Sequence, residues 1–436
     1  MKIEPRKILV VGPFLTRSGY GEQSRFALRA LRTRPDLFDI YLKPLPWGNT
    51  SWIEQYDSEK KWIDATVVKT NNYIAECNRE QKIPFHLSLQ ITIPNEFQKI
   101  TPINIGYTAG IETTLVSGEW IQAINKIDKL LVISKHAKKV FEESKYSLTL
   151  PSGEEYPLTA ATPINVVSYP VKDIVPSPPL DLEISTDFNF LCVAQFGPRK
   201  NLPQTINWFV EEFHDENVGL ILKSNIMRNS LIDREKLYLD IRRGLNHSFP
   251  DRKCKVYLLH GDLSESEIAS LYCHPKMNAF YMLPHGEGFG LPLFEAAYSG
   301  MPVVSIGFSG QTDFLCDEEG NPHFYNVDFE IKKIHPECVW DKVLVAESGW
   351  AYPKELSAKK QLRQCYEDIL SNTGIAADAK NYALELKSRF DQDKMYESFI
   401  KEVNYIWDTE ELDSGLSFIE EWDTEDLDDE IAAIKE

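Results

Sequence analysis

The stretch Gly286–Val304, GEGFGLPLFEAAYSGMPVV, decides the fold of this chain. Leu291–Tyr298 has the apolar spacing of a helix, and Pro292 suits its first turn, where a backbone N–H is unpaired anyway. Val303–Ile306 and Ala279–Leu283, on either side, are short apolar runs typical of buried strands. The order strand, glycine loop, helix, strand predicts one unit of a doubly wound α/β domain.

Two carboxylates, Glu287 and Glu295, stand eight positions apart around the glycine loop. Loop N–H groups and a helix N-terminus attract anions, and Gly288 and Gly290 allow a ligand to approach the backbone closely. Carboxylates beside an anion site repel a bare phosphate, but they accept hydrogen bonds from hydroxyl groups next to it. A phosphate flanked by a sugar and a ribose is a nucleotide sugar, which is therefore the predicted ligand.

The segment resembles the Glu-x7-Glu motif of retaining glycosyltransferases with the GT-B fold, especially the large family-4 group. The family pattern E-G-F-G-x-x-x-x-E-A-x-x-x-G-x-P-V is matched at each fixed position. The resemblance covers about residues 1–405 and implies two Rossmann-like doubly wound domains facing across a cleft. It implies that Glu287 binds hydroxyls of the transferred sugar and Glu295 the ribose. The loop implied to bind the donor is Gly288, Phe289, Gly290 and Leu291.

A second motif, Gly197–Pro203 (GPRKNLP), follows a predicted strand, Phe190–Ala194. Cations at the carboxyl end of such a strand face the crevice where doubly wound sheets bind ligands. The motif looks like the family's phosphate-binding segment, which implies that Arg199 and Lys200 stabilise the departing diphosphate. The family often has a second arginine a few residues earlier, where this chain has Gln195, so Arg199 takes that role or the role is unfilled.

The loop after the first strand, Thr16–Glu22, contains Gly19 and Gly21. Any strand-to-helix turn favours glycine, so the pattern alone is weak. In a GT-B protein, a loop in this place is expected to fold over the donor diphosphate or to admit the acceptor.

The acceptor side of the site carries fewer signals. Relatives have a His or Asp near residues 108–113 that touches the transferred sugar, and here Glu112 is the candidate substitute. Ser134 resembles a cleft-lining serine of the family, and His285 faces donor or acceptor unless it serves packing. The loops 44–82 and 146–162 are expected to determine acceptor specificity.

The predicted domains are an acceptor-side domain, 1–175, and a nucleotide-sugar-binding domain, 176–380, joined by a proline-rich linker. Helices are predicted at Trp350–Ser371 and 381–405, and a crossing helix, 381–407, is expected to return to the first domain. The remainder, 408–436, is an acidic tail that repeats W-D-T-E-x-L-D, which predicts either a flexible solubilising segment or a docking motif for a protein partner.

Charge and composition exclude several classes of protein. The tail carries −12 of the net charge of −19, and the remaining −7 lacks the basic excess of a nucleic-acid-binding surface. No apolar run approaches the ~20 residues of a membrane span. The basic helix Lys135–Lys139 leaves a peripheral membrane contact open, although a solvated helix that covers the sheet is the favoured interpretation. Seven scattered cysteines and no secretory signal predict a cytoplasmic protein without disulfides.

The sequence thus predicts a retaining, metal-independent hexosyltransferase that moves a sugar from a nucleotide-sugar donor to a glycan, lipid or other hydroxyl acceptor, with no cofactor. The D-x-D string Asp426–Asp428 lies in the acidic tail and is not taken as a metal site. Alternatives are a GT-B-shaped epimerase or phosphorylase, and a non-catalytic scaffold that recruits partners through the tail.

Overall fold

A computed structural model of the protein describes residues 4–48, 50–149 and 155–404. The first half forms a parallel sheet covered by helices. Its strands are β1 Arg6–Gly12, β2 Phe38–Pro44, β3 Leu87–Gln90, β4 Ile103–Thr108, β5 Lys129–Val132, β6 Tyr146–Thr149, β7 Glu155–Leu158 and β8 Ile164–Val166. Its helices are α1 Gly19–Arg32, α2 Ser58–Glu80, α3 Gly118–Ile124 and α4 Lys135–Glu143. Six strands pair in the order β2-β1-β3-β4-β5-β8, and β6 and β7 form a separate antiparallel hairpin.

The second half repeats this architecture. Its strands are β9 Phe188–Val193, β10 Val218–Lys223, β11 Lys255–Leu259, β12 Ala279–Tyr281, β13 Val303–Ile306, β14 Tyr325–Val327, β15 Phe329–Lys333 and β16 Gly349–Pro353. Its helices are α5 Leu202–Glu212, α6 Leu231–Ser248, α7 Glu265–Tyr272, α8 Leu291–Tyr298, α9 Thr312–Leu315, α10 Glu355–Ser371, α11 Gly374–Arg389 and α12 Gln392–Asn404. The parallel sheet has the order β11-β10-β9-β12-β13-β14, so the predicted pair of doubly wound domains is confirmed.

The central strands are buried on both faces. Ile8 to Val11 of β1 are all at most 7% exposed, and Leu220 to Leu222 of β10 at most 2%. Continuous apolar runs are what a parallel strand needs when helices cover both sides of its sheet. The runs read from the sequence as strands therefore form the two cores.

The glycine-loop unit folds as the sequence predicts. Gly290 has φ +96°, a left-handed conformation that glycine adopts without strain, and α8 starts at the next residue with Pro292 in its first turn. Gly300, with φ +82°, follows the helix, and β13 begins three residues later. The loop consequently stands at the carboxyl edge of the second sheet.

The end of the chain differs from the prediction in two places. The expected helix at Trp350–Ser371 begins as a strand, because residues 349–353 pair antiparallel with β15, and the helix starts only at Glu355. The expected helix 381–405 is two helices with a break at Phe390. Only the second crosses back: α12 packs on α1, with the rings of Phe399 and Phe26 5.5 Å apart.

The two predicted acceptor loops also prove more structured. Residues 44–82 contain α2, which Asp57 caps by accepting a hydrogen bond from the Lys60 N–H. Its sparse apolar residues gave a weak helical pattern, and only Ile63, Thr66, Thr70 and Cys77 are buried. The segment 146–162 contains the antiparallel pair of strands β6 and β7. The predicted domain boundaries stay predictions, and the acidic tail lies outside the described residues.

Candidate functional site

A cleft of about 1390 Å³ lies between the two domains and collects most of the predicted site. Its walls come from the carboxyl edges of both sheets, where doubly wound folds bind ligands. Among the residues of the donor prediction, the lining includes Gly19, Arg199, Lys200, Glu287, Gly288, Phe289, Gly290, Leu291 and Glu295. Glu112, predicted for the acceptor side, lines it as well.

Glu287 forms a compact ion-pair cluster with both predicted cations. Its two carboxylate oxygens lie 2.9 Å from Arg199 Nη1 and 2.5 Å from Lys200 Nζ. Arg199 reaches across the cleft to Glu112, with 3.3 Å between Nε and Oε1. Burial acts to raise the pKa of Glu287, but the charges of Arg199 and Lys200 outweigh it, so the pKa is lowered and the group is ionised.

Lys200 has less counter-charge than it needs. Burial, and then the neighbouring Arg199, lower the pKa of its ammonium group, and Glu287 only partly opposes this effect. The side chain of Lys200 is 15% exposed, so water screens it little. A further anion placed here would relieve both the desolvation and the repulsion.

The glycine loop allows the two domains to touch. A Cβ atom on Gly288 would lie 2.8 Å from the carbonyl oxygen of Ala109, and one on Gly286 would lie 2.4 Å from that of Glu112. Ser309 supports the loop from the second domain, because its Oγ accepts a hydrogen bond of 2.8 Å from the Glu287 N–H. The close approach of the opposite domain therefore requires glycine at both positions.

The first-domain loop is held in a tight turn. Ser18 caps α1 by accepting the Gly21 N–H at 2.9 Å, and a Cβ on Gly21 would lie 2.1 Å from the Thr16 carbonyl oxygen. Gly19 lies on the cleft wall with nothing within 4 Å of a Cβ. Thus Gly21 shapes the turn, whereas Gly19 leaves space in the cleft.

Glu295 lies in a different electrostatic environment. Its Oε2 accepts a hydrogen bond of 3.1 Å from the hydroxyl of Tyr272. Burial raises its pKa, and the charges of Glu22 and Glu265 raise it further, while Lys172 lowers it. The charges of Glu22 and Glu265 thus disfavour the ionised form of Glu295, and hydroxyl groups that donate hydrogen bonds to its carboxylate would stabilise that form.

Lys172 is at the centre of a charge cluster that the sequence did not reveal. Its Nζ lies 2.8 Å from Glu22 Oε1 on α1 and 3.3 Å from Glu265 Oε1 on α7. Arg25 and Arg29 also pair with Glu22, at 2.9 and 3.7 Å. In the sequence, Lys172 is part of the linker segment PVKD and belongs to no motif. Its partners Glu22 and Glu265 are 150 residues before it and 93 after it, so spacing along the chain does not connect them.

Two candidates have structural roles that account for them. Ser134 is fully buried and caps α4 by accepting the Ala137 N–H at 3.1 Å. The ring of His285 stacks on Trp350, with 5.4 Å between centroids and 12° between planes, and its Nδ1 is 2.8 Å from the Ala351 carbonyl oxygen. The packing alternative is therefore favoured for His285, and neither residue is kept in the proposed site.

Three further contacts join the domains at the rim of the cleft, near the segment His260–Ser264. Arg17 Nη1 donates to the Leu263 carbonyl oxygen at 3.2 Å, and its Nε is 3.6 Å from Asp262. Ser51 Oγ donates to the same Asp262 at 3.2 Å. Ser264 and Glu267 form a capping box that fixes the start of α7 beside these contacts.

Within the described ranges, no group of three or more His, Cys, Asp or Glu side chains has metal-ligating geometry. The seven cysteines are all free thiols, three of them partly or fully accessible. The helices described for this chain include none with the length and apolar character to cross a bilayer.

Comparison with solved structures identifies the architecture. HepE from Anabaena, in complex with UDP-glucose, aligns with a TM-score of 0.56 at 13% identity, over 92% of this chain and all of HepE. Sucrose-phosphate synthase from Thermosynechococcus elongatus gives 0.56 at 12% identity, over 92% of this chain and 99% of that enzyme. The chain has the GT-B fold. At this identity the likeness establishes the GT-B architecture alone.

One local sequence match agrees with it. A 119-residue segment is 32% identical to the serotype-specific mannosyltransferase WbdA of Escherichia coli. The match covers 27% of this chain and only 13% of that protein. No protein-family model matches the chain. The local match and the GT-B fold both agree with the prediction of a nucleotide-sugar-dependent glycosyltransferase.

Proposed function

We propose that the protein is a retaining glycosyltransferase that transfers a hexose from a UDP-sugar to a hydroxyl acceptor. The observation that carries this proposal is the cluster of Glu287, Arg199 and Lys200 beside the N-terminus of α8. It unites a sugar-binding carboxylate with the cations and helix dipole that a leaving diphosphate requires. UDP is proposed for the donor because HepE was solved with UDP-glucose on the same fold.

The diphosphate would lie between Lys200 and the first N–H groups of α8. Its charge supplies a counter-anion for the largely buried Lys200, so binding is expected to raise the lowered pKa of that ammonium group. Arg199 is bound to Glu287 and Glu112 on opposite walls, and these contacts hold its guanidinium at the reaction centre. Burial acts against its charge, but both carboxylates raise its pKa, so Arg199 stays protonated throughout.

In the transfer step the bond between the anomeric carbon and the phosphate oxygen breaks, and its electron pair stays on the phosphate. The acceptor oxygen bonds to the anomeric carbon on the face that the phosphate leaves, and its proton passes to the departing phosphate oxygen. Glu287 accepts hydrogen bonds from sugar hydroxyls, and Arg199, Lys200 and α8 stabilise the leaving charge. The configuration at the anomeric carbon is thereby retained.

A binding panel tests the donor. Thermal unfolding of the purified protein is followed with UDP, GDP, ADP and their hexose conjugates. A ligand at 100 times its dissociation constant adds about 2.7 kcal/mol of stability, a visible shift in Tm. Stabilisation by UDP and UDP-hexose supports the proposal, whereas selectivity for another base overturns only the choice of UDP. Stabilisation by none of them overturns the enzyme function.

The reaction type needs a product analysis. With a stabilising UDP-hexose and a mixture of sugar and lipid acceptors, the new glycosidic bond is expected to have the anomeric configuration of the donor, measured by NMR. Inverted product contradicts the mechanism. A rearranged sugar released without an acceptor would instead identify an epimerase.

A further inference from the structure

Two carboxylates pair with the ammonium group of Lys172, and a third, Glu295, acts on its charge from the same cavity. Glu22 belongs to α1 of the first domain, Glu265 to α7 and Glu295 to α8 of the second, and Lys172 lies in the linker between the domains. Tyr298, one turn after Glu295, lines the same small cavity as Lys172. The lysine, Glu22 and Glu295 line one small cavity.

The other charges of the cluster are already engaged. Arg25 donates to Glu22 at 2.9 Å, and Arg29 binds Glu59 through two hydrogen bonds of 2.7 and 2.8 Å. Arg29 also approaches Glu265, at 3.8 Å. Of the charges acting most strongly on Glu295, Lys172 alone favours its ionised form, and Glu22 and Glu265 oppose it.

We propose that Lys172 is a positioning residue for the donor. Its ammonium group keeps Glu295 charged and directed into the cleft, so that the carboxylate can accept two hydroxyl groups of the donor ribose. This inference rests on the proposed function, in which Glu295 holds the ribose. It adds a residue from the linker, so the donor pocket becomes complete only when α1, α7 and α8 converge on Lys172.

The physical reason is the balance of charge around a buried acid. Burial acts against the charge of Lys172, but Glu22, Glu295 and Glu265 together raise its pKa, so it is protonated at neutral pH. Without it, Glu295 lies near two negative charges in a desolvated site and takes up a proton. A protonated carboxyl group accepts fewer hydrogen bonds than a carboxylate, and the ribose contact weakens.

The test is the affinity for UDP, measured by calorimetry from pH 6 to pH 8.5 in wild type, Lys172→Met and Lys172→Arg. Lys172→Met is expected to lose affinity on the acid side, by about tenfold for each unit by which the pKa of Glu295 has risen, and to recover toward wild type at high pH. Lys172→Arg keeps the charge and is expected to follow the wild-type profile.

Two further measurements separate positioning from simple damage to the fold. In a Glu295→Gln background, Lys172→Met is expected to add no pH dependence, because the titrating group is gone. With 2′,3′-dideoxy-UDP as the probe, wild type and Lys172→Met are expected to bind equally. Glu265→Gln removes an opposing charge from a half-exposed position and is expected to extend tight binding of UDP to lower pH.

The outcomes distinguish the proposed function from the proposed role of Lys172. Failure of wild type to bind UDP, GDP or ADP overturns the proposed function and this inference with it. Nucleotide binding with an equal loss in Lys172→Met at every pH, or with no loss, overturns the inference alone. An unshifted profile in Glu265→Gln also overturns it, even if Lys172→Met does not fold.

Discussion

Glu287 and Glu295 are the same residue type in one motif, yet their surroundings act on them in opposite directions. Glu287 faces two cations, Arg199 and Lys200, and its pKa is lowered despite burial. Burial raises the pKa of Glu295, and two nearby carboxylates add to this effect against the charge of one lysine. The comparison teaches that the motif supplies two acids, while residues far away in sequence decide the charge and task of each.

The largest effect is expected from removing a cation at the Glu287 end. Lys200→Ala leaves the departing diphosphate with one positioned side-chain charge fewer, and kcat should fall about 10²- to 10³-fold, as for other preorganised electrostatic partners. Steady-state kinetics with a saturating donor measure it. Full turnover in Lys200→Ala would show that the cluster has no part in catalysis.

Adding a side chain to the glycine loop should have the next largest effect on the rate. Gly288→Ala places a Cβ atom 2.8 Å from the Ala109 carbonyl oxygen and pushes the domains apart at the Glu287 end. Because displacements near 1 Å can cost about 10²-fold in rate, kcat should fall by that order. Gly197→Ala is the matched control, since nothing lies within 4 Å of its Cβ, and equal losses in both variants would contradict the steric argument.

Neutralising Glu287 and neutralising Glu295 should change the stability of the protein in different ways. Glu287→Gln strands two cations and should lower the free energy of unfolding by roughly 2 kcal/mol, less than for a fully buried pair because Arg199 is one-third exposed. Glu295→Gln removes an acid whose raised folded-state pKa makes its stabilising contribution largest at low pH and lost as pH rises. The apo variant should therefore gain in Tm over wild type as pH rises.

Chemical denaturation and Tm measurements of both variants, from pH 5 to pH 8, give this contrast. In the same proteins, Glu295→Gln should weaken UDP binding by about tenfold, the value of one hydrogen bond to a charged group. Equal stability changes at every pH in the two variants would contradict the proposed difference between the surroundings of Glu287 and Glu295.

The last prediction concerns a third acid, outside the motif. Asp313 accepts the backbone N–H of Lys135 at 2.7 Å across the domain contact, and burial raises its pKa to about 6. The folded state thus holds its proton more tightly than the unfolded chain, with its pKa of about 3.9. Stability from this group is present at low pH and disappears as pH rises from about 4 to 6.

Asp313→Asn keeps the hydrogen-bond acceptor and removes the titration. Its Tm should gain on that of wild type between pH 4 and 6 and then stay at a constant difference up to pH 8. A constant difference over the whole range would mean that Asp313 does not titrate differently in the folded protein.

The fold was readable because its signals are local. Residues 286–304 encode a loop, a helix and a strand through glycine, proline and apolar spacing, and the structure places them so. Trp350–Pro353 was misread as helix because its strand depends on pairing with β15, about twenty residues earlier. The weak pattern of α2 hid a real helix for a related reason, since few of its residues are buried.

The candidate site was readable only in part. Arg199, Lys200 and Glu287 lie in two motifs that can be recognised separately, and their ion pairs bring these motifs together. Lys172, Glu22 and Glu265 have no motif, because their relationship exists only after two domains and a linker meet. Long-range charge clusters of this kind cannot be derived from spacing along one chain.

The Arg17–Asp262 contact has a consequence for how the turnover rate depends on salt. Both side chains are partly exposed to solvent, 31% and 41%, so dissolved ions weaken their attraction. They link the rims across the cleft, so an opening of the cleft that releases spent nucleotide would break these links. If departure of the nucleotide limits the cycle, the enzyme should run faster as ionic strength increases, and Arg17→Ala should abolish that acceleration.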